Sequence, residues 1–220
     1  KKEAMYFYYL YASPILTEDL EESYKPINYH FEMKNIIKIF DDSKQEYNCL
    51  FECANEKKFR DALTKQPTIL HISSHGYMDE KREYYLHLEE KGVIQKIYQK
   101  RLKEILSAFS SKLKNIDLVF VSTCYSQILG KLFLEFGIKN VIYIHGMTPV
   151  SDLAAARFSS NFYTEIIRGN SVQEAFNKAQ LLLQHDREKQ FFHITQCCCS
   201  HWHNSKTFCP LKKNKTVGKL

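Results

Sequence analysis

The sequence predicts an α/β domain built on a mostly parallel sheet with helices on both faces. Three observations carry that prediction. Apolar runs of strand length recur at 4–11, 45–53, 68–72, 117–121 and 139–144, and stretches with helical spacing separate them. Two of the runs end abruptly in polar turns with reactive side chains: TILHISSHG delivers His75, and LVFVSTCYSQILG delivers Cys124. Strands alternating with helices form parallel sheets covered on both faces, and function in such sheets gathers at the C-terminal strand ends.

Composition sets the outer limits. The chain has 220 residues, 44% apolar and 25% charged, enough for one sizeable domain with a substantial core. A net charge of +6 is moderate, and the lysines are spread rather than massed, so nucleic acid is not indicated as a partner. No apolar segment reaches the roughly 18 residues of a membrane span, and the start lacks the layout of a signal peptide. A soluble cytoplasmic protein with no membrane partner is expected. The opening Lys1-Lys2-Glu3 suggests an excerpt of a longer protein.

In chain order, Ala4 to Tyr11 (AMYFYYLY) reads as a buried strand ended by Ser13-Pro14. A helical piece from Leu16 to Phe40 is interrupted near Pro26. Gln45 to Cys53 alternates with period two, placing Tyr47, Cys49, Phe51 and Cys53 on one side, and Asn55 is placed to cap a helix running to Lys65. After the third strand, Tyr84 to Val93 reads as a hairpin around Glu89-Glu90-Lys91-Gly92. Lys96 to Phe109 has Ile97, Leu102, Ile105, Leu106 and Phe109 on one helical face.

The fourth strand, Asp117 to Val121, is followed by a helix from Gln127 to Phe136 that Gly137 closes. Lys139 to Ile144 is the fifth strand and ends at His145-Gly146. A long helix over 149–167 starts near Ser151 or Asp152, and another over 171–185 opens with the capping box Ser171 to Glu174. A last strand is expected over 191–196.

His75, Cys124 and His145 each lie just beyond a predicted strand end. A cysteine nucleophile needs a neighbouring base to become a thiolate near neutral pH, and imidazole titrates in that range. The amide of Gly76, unshielded by a side chain, and that of Cys124 at a helix start are the expected oxyanion donors. Taken singly, Cys124 also fits a buried small apolar residue, and His75 a structural histidine.

The ordered set TILHISSHG, a variable hairpin, DLVFVSTCYS, GIKNVIYIHG and PVSDLAAARFSSNFYTEIIRGNSVQEAFNKAQ resembles the CHAT family over about residues 4 to 185. These are caspase-like domains, related to separase and the caspases and often found beside tetratricopeptide repeats. The resemblance implies a caspase-like three-layer sandwich and a cysteine endopeptidase with His75 as base and Cys124 as nucleophile. It also implies a protein or peptide substrate and upstream domains of the same chain. Ser122-Thr123-Cys124 departs from the family's common Asn-Ala-Cys. A catalytically silent or signal-regulated scaffold for protein interaction is the competing reading.

Asp152 falls where the resemblance to separase suggests an acid in a pocket for a basic side chain. It equally suits a helix N-terminus, where negative charge is favoured. His145 reads as a turn residue whose rim position leaves substrate binding open. His71 and His87 lie inside predicted strands and read as core or face residues.

The expected organisation is a caspase-like domain over 1–190, a Cys/His-rich segment over 191–210 and a basic tail over 211–220. Cys197, Cys198, Cys199, His201, His203 and Cys209 are candidate ligands for a structural zinc, since thiolate and imidazole are its usual donors. Their spacing matches no standard finger, so a reduced tail is the alternative. The catalytic chemistry itself calls for no cofactor.

Overall fold

The apolar run that opens the chain becomes β1 (Met5–Tyr11), whose residues Phe7 to Leu10 are buried whichever way they point. That pattern belongs to a strand covered on both faces. The structure is a computed structural model describing residues 4–17, 19, 26–43, 46–145, 150–183 and 192–196. Beside β1 lie β2 (Tyr47–Cys53) and β3 (Ile69–Ser73), and further strands follow at β7 (Leu118–Ser122), β8 (Asn140–Ile144) and β9 (Phe192–Gln196). The main sheet has the order β2-β1-β3-β7-β8-β9, with every pairing parallel except that of β9. Phe192–Gln196, within the segment set apart at 191–210, therefore belongs to the sheet.

Strand residues alternate between two cores, as a period-two backbone requires. Phe7, Tyr9, Ile69, Leu118, Phe120, Ile142 and Ile144 face one cluster. It is completed by α1 (Tyr29–Asp41), α6 (Asp152–Ile167) and α7 (Val172–Leu182) through residues such as Ile36, Phe158, Phe162 and Phe176. Tyr8, Leu10, Leu70, Ile72, Val119, Val121 and Val141 face the other. There α2 (Glu56–Lys65), α3 (Gln99–Ala108), α4 (Ser110–Leu113) and α5 (Gln127–Glu135) supply Phe59, Leu106, Leu113 and Phe133. The three-layer sandwich expected from the sequence is the observed architecture.

The expected hairpin forms a small second sheet of β4 (Gly76–Met78), β5 (Tyr84–Glu90) and β6 (Val93–Tyr98), all antiparallel. Its tight turn is Lys91-Gly92, with both residues at positive φ. The helix caps match the sequence reading. Asn55 and Ser151 accept from Lys58 and Ala154 amides, Ser171 and Glu174 form a reciprocal box, and Gly137 ends α5 at φ +89.

Two expected elements differ. Of the helical piece placed at 16–40 with an interruption near Pro26, the later part forms α1 from Tyr29, capped by Asn28, Leu16 forms a parallel bridge to Val93, and residues 18 and 20–25 lie outside the described residues. The helix placed at 96–109 begins at Gln99, because Lys96, Ile97 and Tyr98 pair with β5. In both places apolar residues that suit a helix face are claimed by the hairpin, and tertiary pairing overrides local periodicity.

Candidate active site

The two reactive run-ends meet because β3 and β7 are neighbours at the centre of the sheet. Their register is Ile69 to Leu118 through Ser73 to Ser122. His75 lies two residues beyond Ser73 and Cys124 two beyond Ser122, so matched strands deliver imidazole and thiol to the same height on the rim. The Ser74 amide bonds the Ser122 carbonyl at 3.4 Å, continuing the pairing past the strand ends.

Gly76 is required by this approach. A methyl group there would collide with the Cys124 carbonyl oxygen and come within 3.0 Å of the Tyr84 hydroxyl and 3.1 Å of Thr123 Oγ1. Tyr84 and Thr123 hydrogen-bond each other at 3.1 Å, tying the hairpin to the turn that carries Cys124. Burial first, and then the nearby Cys124, push the Tyr84 phenol well up, so it stays protonated.

The turn itself is strained. Tyr125, directly after Cys124, has φ +56, a left-handed conformation that non-glycine residues adopt at a cost of order 1–3 kcal/mol. Ser126 holds the turn from below, donating to the Val121 carbonyl at 3.3 Å and accepting from the Ile144 amide at 2.8 Å. The helix after the thiol starts at Gln127, as the sequence reading placed it, and Cys124 lies three residues before it in the turn.

A cavity of ≈ 330 Å³ opens over this rim, and His75, Gly76, Cys124, Tyr125, Asp152 and Glu32 are among its lining residues. Asp152 is the first residue of α6, and its Oδ2 accepts the Asn28 amide at 2.8 Å, linking the starts of α1 and α6. Both oxyanion candidates, Gly76 and Cys124, border the same space. His145 is exposed at the end of β8 and lines neither this cavity nor the one beside it. The six candidate zinc ligands, Cys197, Cys198, Cys199, His201, His203 and Cys209, lie outside the described residues. Among the described residues no group of three or more His, Cys, Asp or Glu is placed to hold a metal.

Glu32 was not singled out by the sequence. It is 3% exposed, with Oε2 accepting from the Tyr9 hydroxyl at 2.9 Å and the Ser73 hydroxyl at 3.0 Å, while Oε1 faces His71 Nε2 at 3.4 Å. His71 Nδ1 in turn pairs with the Tyr163 hydroxyl at 2.8 Å. Burial alone would raise the Glu32 carboxyl, but His71 and the hydroxyl donors outweigh it and hold the group below its usual range. A usable signal existed: Glu32 occupies the line of Ile36 and Phe40 on α1, an apolar stripe in which a carboxylate needs buried partners.

His87, read as a core or face residue, is packed beside His75. Its amide donates to the His75 carbonyl at 2.9 Å, its carbonyl accepts from the Ser74 hydroxyl, and its ring meets that of His75 at 6.2 Å, edge to face. Burial first, then His75 and Lys96, push its imidazole down to about 3, so it is neutral at physiological pH.

A family model described as CHAT domain matches residues 29–208. No curated protein matches the chain by sequence. Among solved structures, the Drosophila initiator caspase Dronc superposes with a TM-score of 0.52 at 9% identity, covering 87% of this chain and 79% of that one. The Arg-specific cysteine proteinase gingipain R superposes with a TM-score of 0.52 at 6% identity, covering 90% of this chain and 49% of that one. The chain thus spans about half of the gingipain's length, and at these identities the likeness is one of fold.

Proposed function

The chain belongs to the CHAT domain family and has the caspase-like cysteine peptidase fold, and from that premise we propose that it is a cysteine endopeptidase domain with a His75–Cys124 dyad. The observation that carries the reading is the matched register of β3 and β7, which brings both residues to one cavity.

In the proposed reaction His75 accepts the Cys124 proton, and the thiolate attacks the scissile carbonyl carbon. The carbonyl's π electrons move to its oxygen, which the Gly76 and Cys124 amides receive. As the tetrahedral intermediate collapses, the C–N bond breaks and His75 gives its proton to the leaving amine. Water, deprotonated by His75, then attacks the thioester; the C–S bond breaks, and the thiol is restored with release of the carboxyl product. Asp152, on the wall of the same cavity, supports preference for a basic side chain next to the cut. A substrate library in which Asp152→Ala keeps the full basic preference would remove that part of the reading.

The direct test is pH-dependent alkylation by iodoacetamide. Enhanced labelling near neutral pH that vanishes in Cys124→Ala and falls in His75→Ala supports the peptidase. Labelling no faster than an ordinary thiol, together with no cleavage of any peptide library, favours an interaction scaffold, the reading for which retention of a fold without its activity is the precedent.

A further inference from the structure

A second cavity, of ≈ 480 Å³, adjoins the first and shares Asn28, His75 and Asp152 with it. Its remaining lining is Pro26, Phe31, Ser151 and Leu153. Three of those four residues are apolar, and the two large ones are exposed: Phe31 by 42% and Leu153 by 47%.

Neither side chain contributes to helix packing. On α1 the buried line is Glu32, Ile36 and Phe40, and Phe31 lies off it. On α6 the buried residues include Ala154, Phe158 and Phe162, and Leu153 belongs to neither core cluster. Both residues stand in the first turn of their helices, and the Asn28 amide to Asp152 Oδ2 bond at 2.8 Å holds those two first turns together. A single exposed leucine needs no explanation, but two large apolar side chains bordering one cavity with a candidate catalytic histidine mark a place where apolar surface is covered in use.

We propose that this second cavity is a substrate subsite for a large apolar side chain, flanking the basic side chain taken by the Asp152 cavity. The inference rests on the peptidase reading and deepens it: the substrate is a peptide in which a basic residue lies beside a leucine- or phenylalanine-like one. Continuity argues for this occupant. An extended peptide crossing His75 touches residues common to both cavities, so one ligand reaches both without a break. Asp152 borders both cavities, and Pro26, Phe31 and Leu153 give the second its hydrocarbon wall.

The test uses the full chain carrying Cys124→Ala, so that peptides bind without being cut. Two fluorescein-labelled heptapeptides are compared by anisotropy, each with one central arginine, flanked on both sides by leucine in one and by serine in the other. The leucine peptide is expected to bind about tenfold more tightly, the usual discrimination of a hydrophobic pocket. Phe31→Ser and Leu153→Ser should each cut that advantage to about twofold, while thermal unfolding confirms that these exposed positions leave the fold intact. Equal affinity for the two peptides, or an undiminished advantage in both serine variants, overturns the subsite. Iodoacetamide labelling of the unsubstituted chain separates the two ideas. Fast labelling of Cys124 with equal peptide affinities sinks the subsite alone. Ordinary labelling with a tenfold leucine advantage sinks the peptidase and leaves the cavity as a peptide-binding site.

Discussion

Cys53 and Cys124 both stand at the C-terminal rim of the same parallel sheet, Cys53 as the last residue of β2 and Cys124 two residues beyond β7. Their neighbours differ because their places in the sheet differ. β2 is an edge strand with β1 as its one sheet partner, and the hairpin brings Glu89 against Cys53. Burial, and then Glu89, push the Cys53 thiol up to about 11, where it is inert at physiological pH. Cys49, in the same strand, is likewise pushed up to about 11 by burial and then by Asp41. β7 lies between β3 and β8, so Cys124 has beside it a strand that carries an imidazole two residues past its end. A strand-end cysteine becomes a candidate nucleophile through what the adjacent strand delivers, not through its own local sequence.

That contrast breaks most sharply at the dyad. Cys124→Ala should abolish peptide cleavage, and His75→Ala should lower kcat/KM by about 10²–10⁴, the usual contribution of a general base, as read by fluorogenic peptide turnover. Cleavage undiminished in either variant would place the chemistry elsewhere.

The next effect concerns what holds the central rim in place. Glu32 accepts from Ser73, the last residue of β3, and faces the buried His71, so Glu32→Gln leaves an imidazole without its carboxylate. A loss of about 3 kcal/mol in urea unfolding at pH 7 is expected, as for other broken buried pairs. The pH dependence has a defined sign. Because the Glu32 carboxyl is held low in the folded state, its contribution is complete above its unfolded pKa of about 4 and is lost as pH falls through the lower folded value. The acid-side decline in stability should therefore be shallower in Glu32→Gln than in the unsubstituted chain.

A smaller effect is expected at Asp152, where Asp152→Asn keeps the size of the side chain and removes its charge. Preference for arginine over an uncharged residue in a cleavage library should fall about tenfold, as removal of one charged contact predicts. The smallest effect belongs to the edge strand. Cys53→Ala should change turnover by less than about twofold, and iodoacetamide labelling of Cys53 should rise only as pH approaches 11. Fast labelling of Cys53 near pH 7 would erase the difference between the two rim thiols.

Much of the fold was legible because its signals are local. The five parallel strands coincide with apolar runs, and Asn55, Ser151, Ser171 and Gly137 sit at the helix ends where their chemistry places them. The misread positions, Leu16 and Lys96 to Tyr98, are those claimed by the hairpin, whose pairing partners lie elsewhere in the sequence. Glu32 and His87 escaped notice as site residues for the same reason. One is a carboxylate on a helix and the other a histidine in a strand, and only contact with His71 and Ser73, or with His75, brings either to the site.

The sequence by itself therefore determined the α/β class, the strands and their ends, and the presence of a histidine and a cysteine just beyond two of those ends. Backbone periodicity and capping act over a few residues, so they can be read along the chain. Tertiary structure alone decided that β3 and β7 are adjacent with Ser73 opposite Ser122, that Gly76 presses against the Cys124 carbonyl, and that two helix starts frame the cavities above them. Strand order and register are set by the burial of whole faces against one another, a requirement satisfied across the molecule and not within any single stretch of it.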